Sequence, residues 1–336
     1  MLEVRYHDSV NVVQGLTEAA RSPFERAEWF ALLAEAGVAP LVAMASDGDA
    51  RAALVLSDNG GALGPMANWY SFTWRPAAPD GAEGDALLGA IARGLRQRAH
   101  RVTLRSVPEE DGSATRLARL FGDNGWRVEV TQCDTNHTLP VAGRSFAQYW
   151  ASRPGPLRTT LKRRAKKVET QILTHFNGEA WAQYERIYDA SWKPSEGKPA
   201  MLRAFAGAEG KAGRLRLGLA RREGEPVAAQ FWTVEAGTAF IHKLAHLESH
   251  RHLSAGTTLS AALFEHVIDT DRVDLVDFGT GNEPYKRDWM EATRPRYQLD
   301  CLNLARPRAW IDLARLAGGR LREADVPALA QRPVRS

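Results

Sequence analysis

The chain has 336 residues, of which 44% are hydrophobic, and its formal net charge is +4. This length favours about two domains, and the composition is that of an ordinary globular protein with enough apolar material for a core. The small bulk charge does not indicate a nucleic-acid-binding protein, and we expect no DNA partner.

The sequence also bears on location and on cysteine chemistry. No run of 18 apolar residues occurs, so no membrane-spanning helix is predicted. The N-terminal "MLEVRYHDSVNVV" lacks the basic and then apolar pattern of a signal peptide, which favours a cytoplasmic protein. Cys133 and Cys301 are far apart and form no CxxC motif. We therefore expect two free thiols, no disulfide and no metal site.

Residues 1–140 are predicted to form one α/β unit. Ser22 and Pro23 suit a helix start, because serine caps a helix and proline fits its first turn. Period-2 and period-3.6 patterns, with Gly and Pro as breakers, give the elements. The predicted order is strand 1–6, helix 23–36, hairpin 41–57 turning at Asp47-Gly48, strand 62–74, helix 83–99, strand 101–106, helix 113–122 and strand 126–139.

Residues 141–322 are predicted to form a second unit that repeats this order, followed by a flexible tail, 323–336. The predicted elements are helices 145–152 and 157–168, helix 178–192, a shorter helix after Pro199, hairpin 214–236 turning at Glu223-Gly224, strand 238–247, helix 255–270, and strands 273–278 and 295–304. Two units of mixed α+β sheets, each with a hairpin and a βαβ crossover, are the simplest α/β interpretation.

Two helical segments carry concentrated positive charge. The segment 157–168 contains six cations: Arg158, Lys162, Arg163, Arg164, Lys166 and Lys167. A solvated helix face is the usual reason for such a run, and a site for phosphates, acidic lipid or an acidic carrier protein is the alternative. Near the C-terminus, "ARPRAWIDLARLAGGRLR" is a basic amphipathic segment bearing Trp310. It packs on its own domain or lies on a membrane surface.

The segment that follows strand 238–247 is suited to holding an anion. Ser254 is placed to cap the next helix, Gly256 gives access to the backbone, and Arg251 adds a charge. Free N–H groups and the helix dipole at such a terminus attract phosphate. The segment is neither a GK[ST]-ending phosphate loop nor a GxGxxG fingerprint.

The order of elements and four stretches resemble one protein family. The stretches are "SRPGPLRTTLKRRAKKVE", "EGEPVAAQFW", "HLSAGTTL" and "VDFGTGNEPYKRDWM". Together they resemble the Fem-like branch of the GNAT N-acyltransferase superfamily, which includes cellulose-biosynthesis-type acetyltransferases and the bacterial type of ceramide synthase. The resemblance implies two tandem GNAT-like domains, with a catalytic second domain.

The resemblance also implies a donor and a place for it. GNAT proteins bind acyl-CoA between two splayed parallel strands, with the pyrophosphate on a Gln/Arg-x-x-Gly-x-Gly/Ala loop. The matching residues run from Arg251 to Gly256, with Ser254 in place of the first glycine. The predicted donor contacts are Arg251, Ser254, Ala255, Gly256 and Thr257. Acyl-CoA is then a co-substrate and no cofactor is tightly bound. An acyl carrier protein thioester and aminoacyl-tRNA, which the Fem ligases use, stay open as donors.

Acyl transfer to an amine needs a base, oxyanion donors and an acid for the leaving thiolate. The lysine of a "YK" element lies at the reaction centre in Fem-type relatives, which implies Lys286, with Tyr285 beside it as the acid. The candidate bases are His246, His242, Glu248 and Asp277. Alternate strand residues share a face, so His242 and His246 are expected to point together. A structural histidine hydrogen-bonded in a half-buried strand is the competing interpretation.

The acceptor site is expected on the early helices of the second unit. Trp181, Tyr184, Tyr188 and Trp192 form an aromatic stripe on the predicted helix 178–192. The stripe indicates either helix core or the wall of an acceptor pocket. His242 and Glu248 are expected to contact the acceptor there as well. An aromatic pocket favours a lipid-like amine such as a sphingoid base.

Three functions are therefore compatible with the sequence. The leading hypothesis is an acyl-CoA-dependent N-acyltransferase acting on a lipid-like amine, in contact with the cytoplasmic face of the inner membrane. The second is an acetyltransferase of exopolysaccharide or cell-envelope biosynthesis, or an aminoacyl-tRNA-dependent Fem-type transferase. The third is a non-catalytic module that binds a carrier protein or a membrane surface.

Overall fold

The computed structural model describes residues 2–18, 20–281 and 283–324. Residues 325–336 of the predicted tail lie outside the described residues. Within the described part, no helix has both the length and the apolar character that crossing a bilayer demands.

Twelve strands of the described chain form a single mixed sheet. The strands are β1 (Glu3–His7), β2 (Pro40–Asp47), β3 (Ala50–Asp58), β4 (Ala62–Pro65), β5 (Arg101–Pro108), β6 (Arg127–Pro140), β7 (Glu169–Leu173), β8 (Leu215–Arg222), β9 (Glu225–Glu235), β10 (Thr238–His246), β11 (Leu275–Thr280) and β12 (Ala292–Leu302). Their order across the sheet is β1-β2-β3-β4-β5-β12-β6-β11-β10-β9-β8-β7. Most neighbours are antiparallel, whereas β4–β5 and β10–β11 are parallel.

Helices cover both faces of the sheet. They are α1 (Ala27–Glu35), α2 (Gly81–Leu95), α3 (Ser113–Asp123), α4 (Phe146–Ala151), α5 (Gly155–Arg164), α6 (Gly178–Asp189), α7 (Pro199–Lys211), α8 (Ala255–Glu265), α9 (Lys286–Trp289) and α10 (Pro307–Ala324). The parallel pair β4–β5 is linked by α2, and the parallel pair β10–β11 is linked by α8, because parallel neighbours need a crossover connection. The same strand–helix–strand unit therefore occurs once in each half of the chain.

The two halves exchange their last strands. Strand β12, from the C-terminal half, lies between β5 and β6, and β6, from the N-terminal half, pairs with both β12 and β11. This exchange joins the halves into one continuous sheet. The division at residue 140, where β6 ends, stays a prediction.

Apolar packing between the halves is equally continuous. Trp29 of α1 contacts Phe205 of α7 with ring centroids 5.0 Å apart, and both belong to one buried cluster that includes Phe231 of β9. Arg26, just before α1, donates to the buried Glu209 of α7 at 2.6 Å. These contacts fix α7, and the α6–α7 connection before it, against the N-terminal half.

Several predicted elements differ from the structure for identifiable reasons. The predicted strand 62–74 ends at Pro65, because Asn68 bonds the backbone N–H of Tyr70 and forms a turn. The predicted helix 178–192 ends at Asp189, since Lys193 precedes Pro194, a position that disfavours helix. The first hairpin turns at Gly48-Asp49, one residue later than predicted. The short elements β7 and α9 were not predicted.

Candidate functional site

The parallel strands β10 and β11 separate after a short paired segment. Thr238 to Phe240 pair with Leu275 to Asp277, and the two strands make no further backbone pairs although β10 runs on to His246 and β11 to Thr280. All of these residues are described. The facing edges therefore leave backbone N–H and C=O groups free for a ligand. The opening that the resemblance implies is present.

A bulge shapes the β10 side of this opening. Ile241 pairs with Trp232 and Lys243 with Phe231, which leaves His242 as the extra residue. Beyond the bulge the faces of the strand are reversed: Phe240 and Ala245 lie in one core cluster, whereas Ile241 and Leu244 lie against the other. The prediction that His242 and His246 share a face is therefore wrong.

Glycine shapes the β11 side. The pairing of β11 with β6 shifts between Asp277 and Thr280, and Gly279 within this shift has φ of +70°. A β-carbon at Gly279 would lie 2.9 Å from the Phe72 ring. Only glycine therefore combines this backbone conformation with the close approach of the N-terminal half.

Two cavities occupy the opening and share the walls Leu244, Phe278 and Tyr285. The α8 cavity, of about 320 Å³, is lined by Trp192, Leu244, His246, Arg251, Ser254, Ala255, Gly256, Thr257, Ser260, Phe278, Tyr285 and Trp289. The lysine cavity, of about 240 Å³, is lined by Trp69, Phe72, Lys193, Ile241, His242, Lys243, Leu244, Phe278, Gly279, Thr280, Glu283, Tyr285 and Lys286. The two cavities therefore adjoin at these three residues.

All five predicted donor contacts line the α8 cavity. Ser254 has φ of +53°, in the left-handed region, and its side chain caps no N–H of α8. The first N–H groups of α8 therefore have no capping side chain, and the residues that carry them line the cavity together with Arg251. Gln230 of β9 fixes this helix start by donating to the Gly256 carbonyl at 3.1 Å. The arrangement has the features of a helix terminus that can hold an anion, with an adjacent cation, and the role of these residues in donor binding stays a prediction.

His246 lies at the helix-terminus end of the α8 cavity. Its Nδ1 is 3.6 Å from the position a β-carbon at Gly256 would take, its ring is 4.4 Å from that of Trp192, and its Nε2 is 3.5 Å from the exposed Glu248 carboxylate. Burial lowers the pKa of His246, Glu248 opposes this, and Arg251 adds to the lowering. His246 is placed to contact a ligand near the helix terminus, and its role as the base stays a prediction.

Lys286 and Tyr285 lie at the junction of the two cavities. The Lys286 ammonium is buried, donates to the Thr280 carbonyl and lies 3.0 Å from the Glu283 carboxylate. The Tyr285 hydroxyl stays protonated at neutral pH, because burial raises its pKa to about 12. Tyr285 and Lys286 can thus act as hydrogen-bond donors to charge that develops between the cavities.

The helix α9 that carries Lys286 is fixed from behind. The Tyr149 hydroxyl donates to the Trp289 carbonyl at 2.9 Å, and Arg153 donates to the same carbonyl at 3.3 Å. Arg153 also pairs with Glu291, which accepts from Arg144 at 2.7 Å. These contacts hold the C-terminal end of α9 against α4 and so position the lysine.

Two predicted base candidates are engaged in contacts within the protein, although His242 also lines the lysine cavity. The His242 ring is stacked on Phe231 at 4.9 Å and shares a 2.8 Å hydrogen bond with Thr233; burial, with Lys243, lowers its pKa to about 3. Asp277 lies at the paired end of β11, where it accepts from Asn136 at 2.8 Å and from the Gly279 N–H at 2.7 Å. Asp277 lines neither the α8 cavity nor the lysine cavity.

The predicted aromatic stripe divides between two places. Trp181, Tyr184 and Tyr188 are buried on α6 and wall a third cavity of about 340 Å³ that contains Glu185 and Glu196. Trp192 lies beyond the end of α6, is 49% exposed and lines the α8 cavity instead. Trp181 also donates to Glu185 at 2.8 Å. The three helical residues are thus largely core, and Trp192 alone belongs to the opening.

Sequence reasoning missed two lysines of the opening. Lys243 is the first residue after the bulge, and its ammonium lies 3.2 Å from the Glu196 carboxylate and over the Tyr70 ring at 4.6 Å. Lys193 belongs to the α6–α7 connection and lines the lysine cavity, as Lys243 does. Lys243 could have been identified as a site residue because it is a lysine within an otherwise apolar strand. Lys193 lies in a loop, where a lysine is common, so its sequence context gives no such signal.

Comparisons with known proteins agree with this geometry. Residues 150–287, which include β7 to β11 and Lys286, match the family described as the acetyltransferase (GNAT) domain. The solved structure of FemX has a TM-score of 0.63 at 9% identity, covering 90% of this chain and 98% of that chain. The C-terminal domain of a protein described as a lysylphosphatidylglycerol synthetase from Agrobacterium fabrum has a TM-score of 0.60 at 13% identity, covering 91% and 94%.

A third solved structure, a tandem GNAT protein from the clavulanic acid biosynthesis pathway, has a TM-score of 0.50 at 14% identity, covering 89% of this chain and 98% of that chain. None of the curated protein sequences is significantly similar to this chain. At these identities the solved structures establish the fold alone. The chain has the mixed α/β fold of tandem GNAT and Fem-like proteins. Its residues 150–287 are similar to the GNAT acetyltransferase domain.

Proposed function

We propose that the protein is an N-acyltransferase that moves an acyl group from acyl-CoA to a primary amine. The observation that carries this proposal is the junction of two cavities between β10 and β11, at Leu244, Phe278 and Tyr285. One cavity ends at an uncapped helix terminus and the other contains ammonium groups. A donor and an acceptor can therefore approach one another at the point where Tyr285 and Lys286 lie.

The α8 cavity suits the thioester donor. The amides at Ala255 to Thr257, with Arg251, would hold the diphosphate of CoA. The pantetheine arm would follow the unpaired edge of β10, whose free backbone groups match its amides. His246 and Trp192 would flank this arm. An acyl carrier protein thioester could enter by the same route, because it carries the same phosphopantetheine group.

Each step of the transfer has a candidate group in the site. The amine nitrogen attacks the thioester carbon, and the new C–N bond gives a tetrahedral oxyanion. The buried ammonium of Lys286 is placed to stabilise this oxyanion. As the C–S bond breaks, the proton that the attacking nitrogen loses can pass through the Tyr285 hydroxyl to the departing thiolate, which leaves the amide, the free thiol and a protonated Tyr285. Alignment of the two substrates across the junction supplies much of the remaining rate.

The mouth of the opening favours an acceptor with an apolar portion. Trp69 is 67% exposed and Trp192 is 49% exposed, and each lines one of the two cavities. Large exposed aromatic side chains beside a cavity are typical of binding sites. We propose a lipid-like amine, with a sphingoid base as its representative. Contact with the cytoplasmic membrane face fits this acceptor, because the basic helix α10 exposes Trp310 and Ile311.

The test is a thiol-release assay on the purified protein. Acyl-CoA donors of increasing chain length are combined with a panel of amines that includes sphinganine, an amino sugar and a short alkylamine, and free thiol is followed with the N-acylated product. Substitution Lys286→Met is expected to lower kcat by roughly 100-fold with acyl-CoA affinity unchanged. The matched control is Lys211→Met at an exposed position.

The assay separates the alternatives. Release of thiol with an amine, lost in Lys286→Met, supports acyl transfer from CoA. Transfer only from aminoacyl-tRNA would instead support a Fem-type donor. No thiol release and no binding of acyl-CoA would leave a binding module and contradict the proposal.

A further inference from the structure

The lysine cavity contains more positive charge than its carboxylates neutralise. Three lysines line it: Lys193, Lys243 and Lys286. Lys286 lies 3.0 Å from Glu283, and Lys243 lies 3.2 Å from Glu196. Lys193 has no carboxylate within 4.0 Å in the described part of the chain. Three cations thus face two carboxylates, and the excess charge is at Lys193.

Lys193 is not an ordinary surface lysine. Its side chain is partly buried, and its ammonium lies 5.6 Å from the Trp192 ring centroid. Burial lowers the pKa of Lys193 and the charges of Lys243 and Lys286 lower it further, whereas the carboxylates of Glu283 and Glu196, which form no ion pair with it, oppose this lowering. A partly desolvated cation close to a second cation is unfavourable unless an anion joins them. Lys193 therefore lacks a negatively charged partner in this cavity.

This charge excess has two consequences for a bound amine. Positive neighbours disfavour the ammonium form, so they lower the pKa of the acceptor amine and help to produce the neutral nucleophile that attack requires. The same neighbours repel an acceptor that is only a cation. A small amine with no negative group would therefore bind weakly in this cavity.

We infer that the acceptor carries a negatively charged group, a phosphate or a carboxylate, near its amine, and that Lys193, supported by Lys243, binds this group. The inference rests on the proposed function and narrows its acceptor class to zwitterionic or anionic amines, so that among lipid-like amines the O-phosphate of a sphingoid base replaces the free base as the representative acceptor. Lys193 determines which acceptor is used, whereas Lys286 serves the transfer itself. The arrangement also accounts for a lysine in the α6–α7 connection that no carboxylate of the described chain neutralises.

A binding measurement tests the anion site without turnover. Hexyl phosphate and hexanol, both lacking an amine, are titrated into the wild-type protein, Lys193→Met and Lys198→Met by calorimetry. Lys198 is an exposed lysine of the same connection and does not line the cavity, so it is the matched control. We expect hexyl phosphate to bind the wild type and the control about tenfold or more tightly than Lys193→Met, and hexanol to show no difference.

A turnover measurement tests the acceptor class. Two matched pairs are compared with acyl-CoA: a long-chain 2-amino alcohol with its O-phosphate, and an alkylamine with the amino acid of equal chain length. The wild type should prefer the anionic member of at least one pair by about tenfold or more in kcat/KM, and Lys193→Glu should abolish or reverse that preference. Melting temperatures verify that each variant is folded.

The outcomes distinguish this inference from the proposed function. Equal turnover of neutral and anionic acceptors, or equal binding of hexyl phosphate by Lys193→Met and the wild type, overturns the inference while acyl transfer stands. Hexyl phosphate binding that depends on Lys193, in a protein that releases no thiol, supports the anion site and overturns the transferase.

Discussion

The loop that precedes α8 gives the most quantitative prediction, the substitution Ser254→Gly. Ser254 adopts a left-handed conformation, with φ of +53° and ψ of +37°, and its side chain makes no capping hydrogen bond. This conformation costs an L-residue about 1–2 kcal/mol. Glycine removes that cost, but its greater freedom in the unfolded chain returns about 0.4–1 kcal/mol. The expected net gain in the free energy of unfolding is therefore about 0–1.6 kcal/mol, with a midpoint of about 0.8 kcal/mol.

The assay combines thermal unfolding with acyl-CoA binding. At ~2.1 cal/mol/K per residue, the unfolding entropy of a chain of this length converts the gain to a rise in Tm of about 1 °C. Removing the β-carbon also opens the backbone amides to the diphosphate, so the affinity for acyl-CoA should rise or stay unchanged. The measurements are scanning calorimetry and isothermal titration with a non-reacting acyl-CoA analogue.

Arg272 supplies the matched control, because it also has a positive φ, +55°, and is exposed. Arg272→Gly should raise Tm by a similar amount and leave acyl-CoA binding unchanged, since Arg272 lines neither cavity. A fall in Tm for Ser254→Gly would refute the strain argument. A tenfold loss of acyl-CoA affinity would show that the serine hydroxyl, and not the backbone, holds the ligand.

Three further predictions follow from the same contacts. Arg251→Ala should weaken acyl-CoA binding several-fold at low salt and reduce its salt dependence, whereas Arg272→Ala should leave both unchanged; isothermal titration at two ionic strengths decides this. Tyr149→Phe removes the hydrogen bond to the Trp289 carbonyl, so it should lower the free energy of unfolding by about 1 kcal/mol. It should also lower kcat with little change in acyl-CoA affinity. An unchanged kcat would show that the position of α9 does not depend on this hydrogen bond. Burial lowers the pKa of His242 to about 3 in the folded protein, whereas the ordinary value in the unfolded chain is ~6.5. Between these two pH values the unfolded state binds more protons than the folded state. The free energy of unfolding must therefore fall as the pH falls from ~6.5 to about 3. Urea unfolding at several pH values should show His242→Gln losing less stability on acidification than the wild type, by up to about 1.4 kcal/mol per pH unit, with the exposed His175→Gln as the control; parallel curves for all three proteins would contradict this.

Much of the fold follows from local sequence signals. The hairpin at Glu223-Gly224 and the helix after Pro199 lie where turn and breaker residues place them. The short strand β4 and the end of α6 were missed because an Asn68 turn and the Lys193-Pro194 step override apolar periodicity. The exchange of β6 and β12 was not predictable in the same way. It depends on pairing between residues 135 or more positions apart in the chain, for which one sequence carries no signal.

The functional site also contains residues that local sequence signals predict and residues that they do not. The positions of residues 251–257, Tyr285 and Lys286 around the opening follow from contiguous stretches that resemble a known family, whereas their roles stay predictions. The positions of His242 and His246 were not predicted, because a bulge at His242 interrupts the period-2 pattern and only its pairing with β9 reveals it. Lys193 and Lys243 were missed because each is unremarkable in sequence. They become significant only when the α6–α7 connection folds over β10.

Hydrogen exchange with and without a non-reacting acyl-CoA analogue tests the central claim most directly. If the opening between β10 and β11 holds the donor, the amides of residues 251–258 and 241–246 should exchange more slowly in the presence of the analogue. The start of α2, which occupies the equivalent place in the N-terminal half, should be unaffected. Protection confined to the start of α2, or no protection at either helix, would contradict the account.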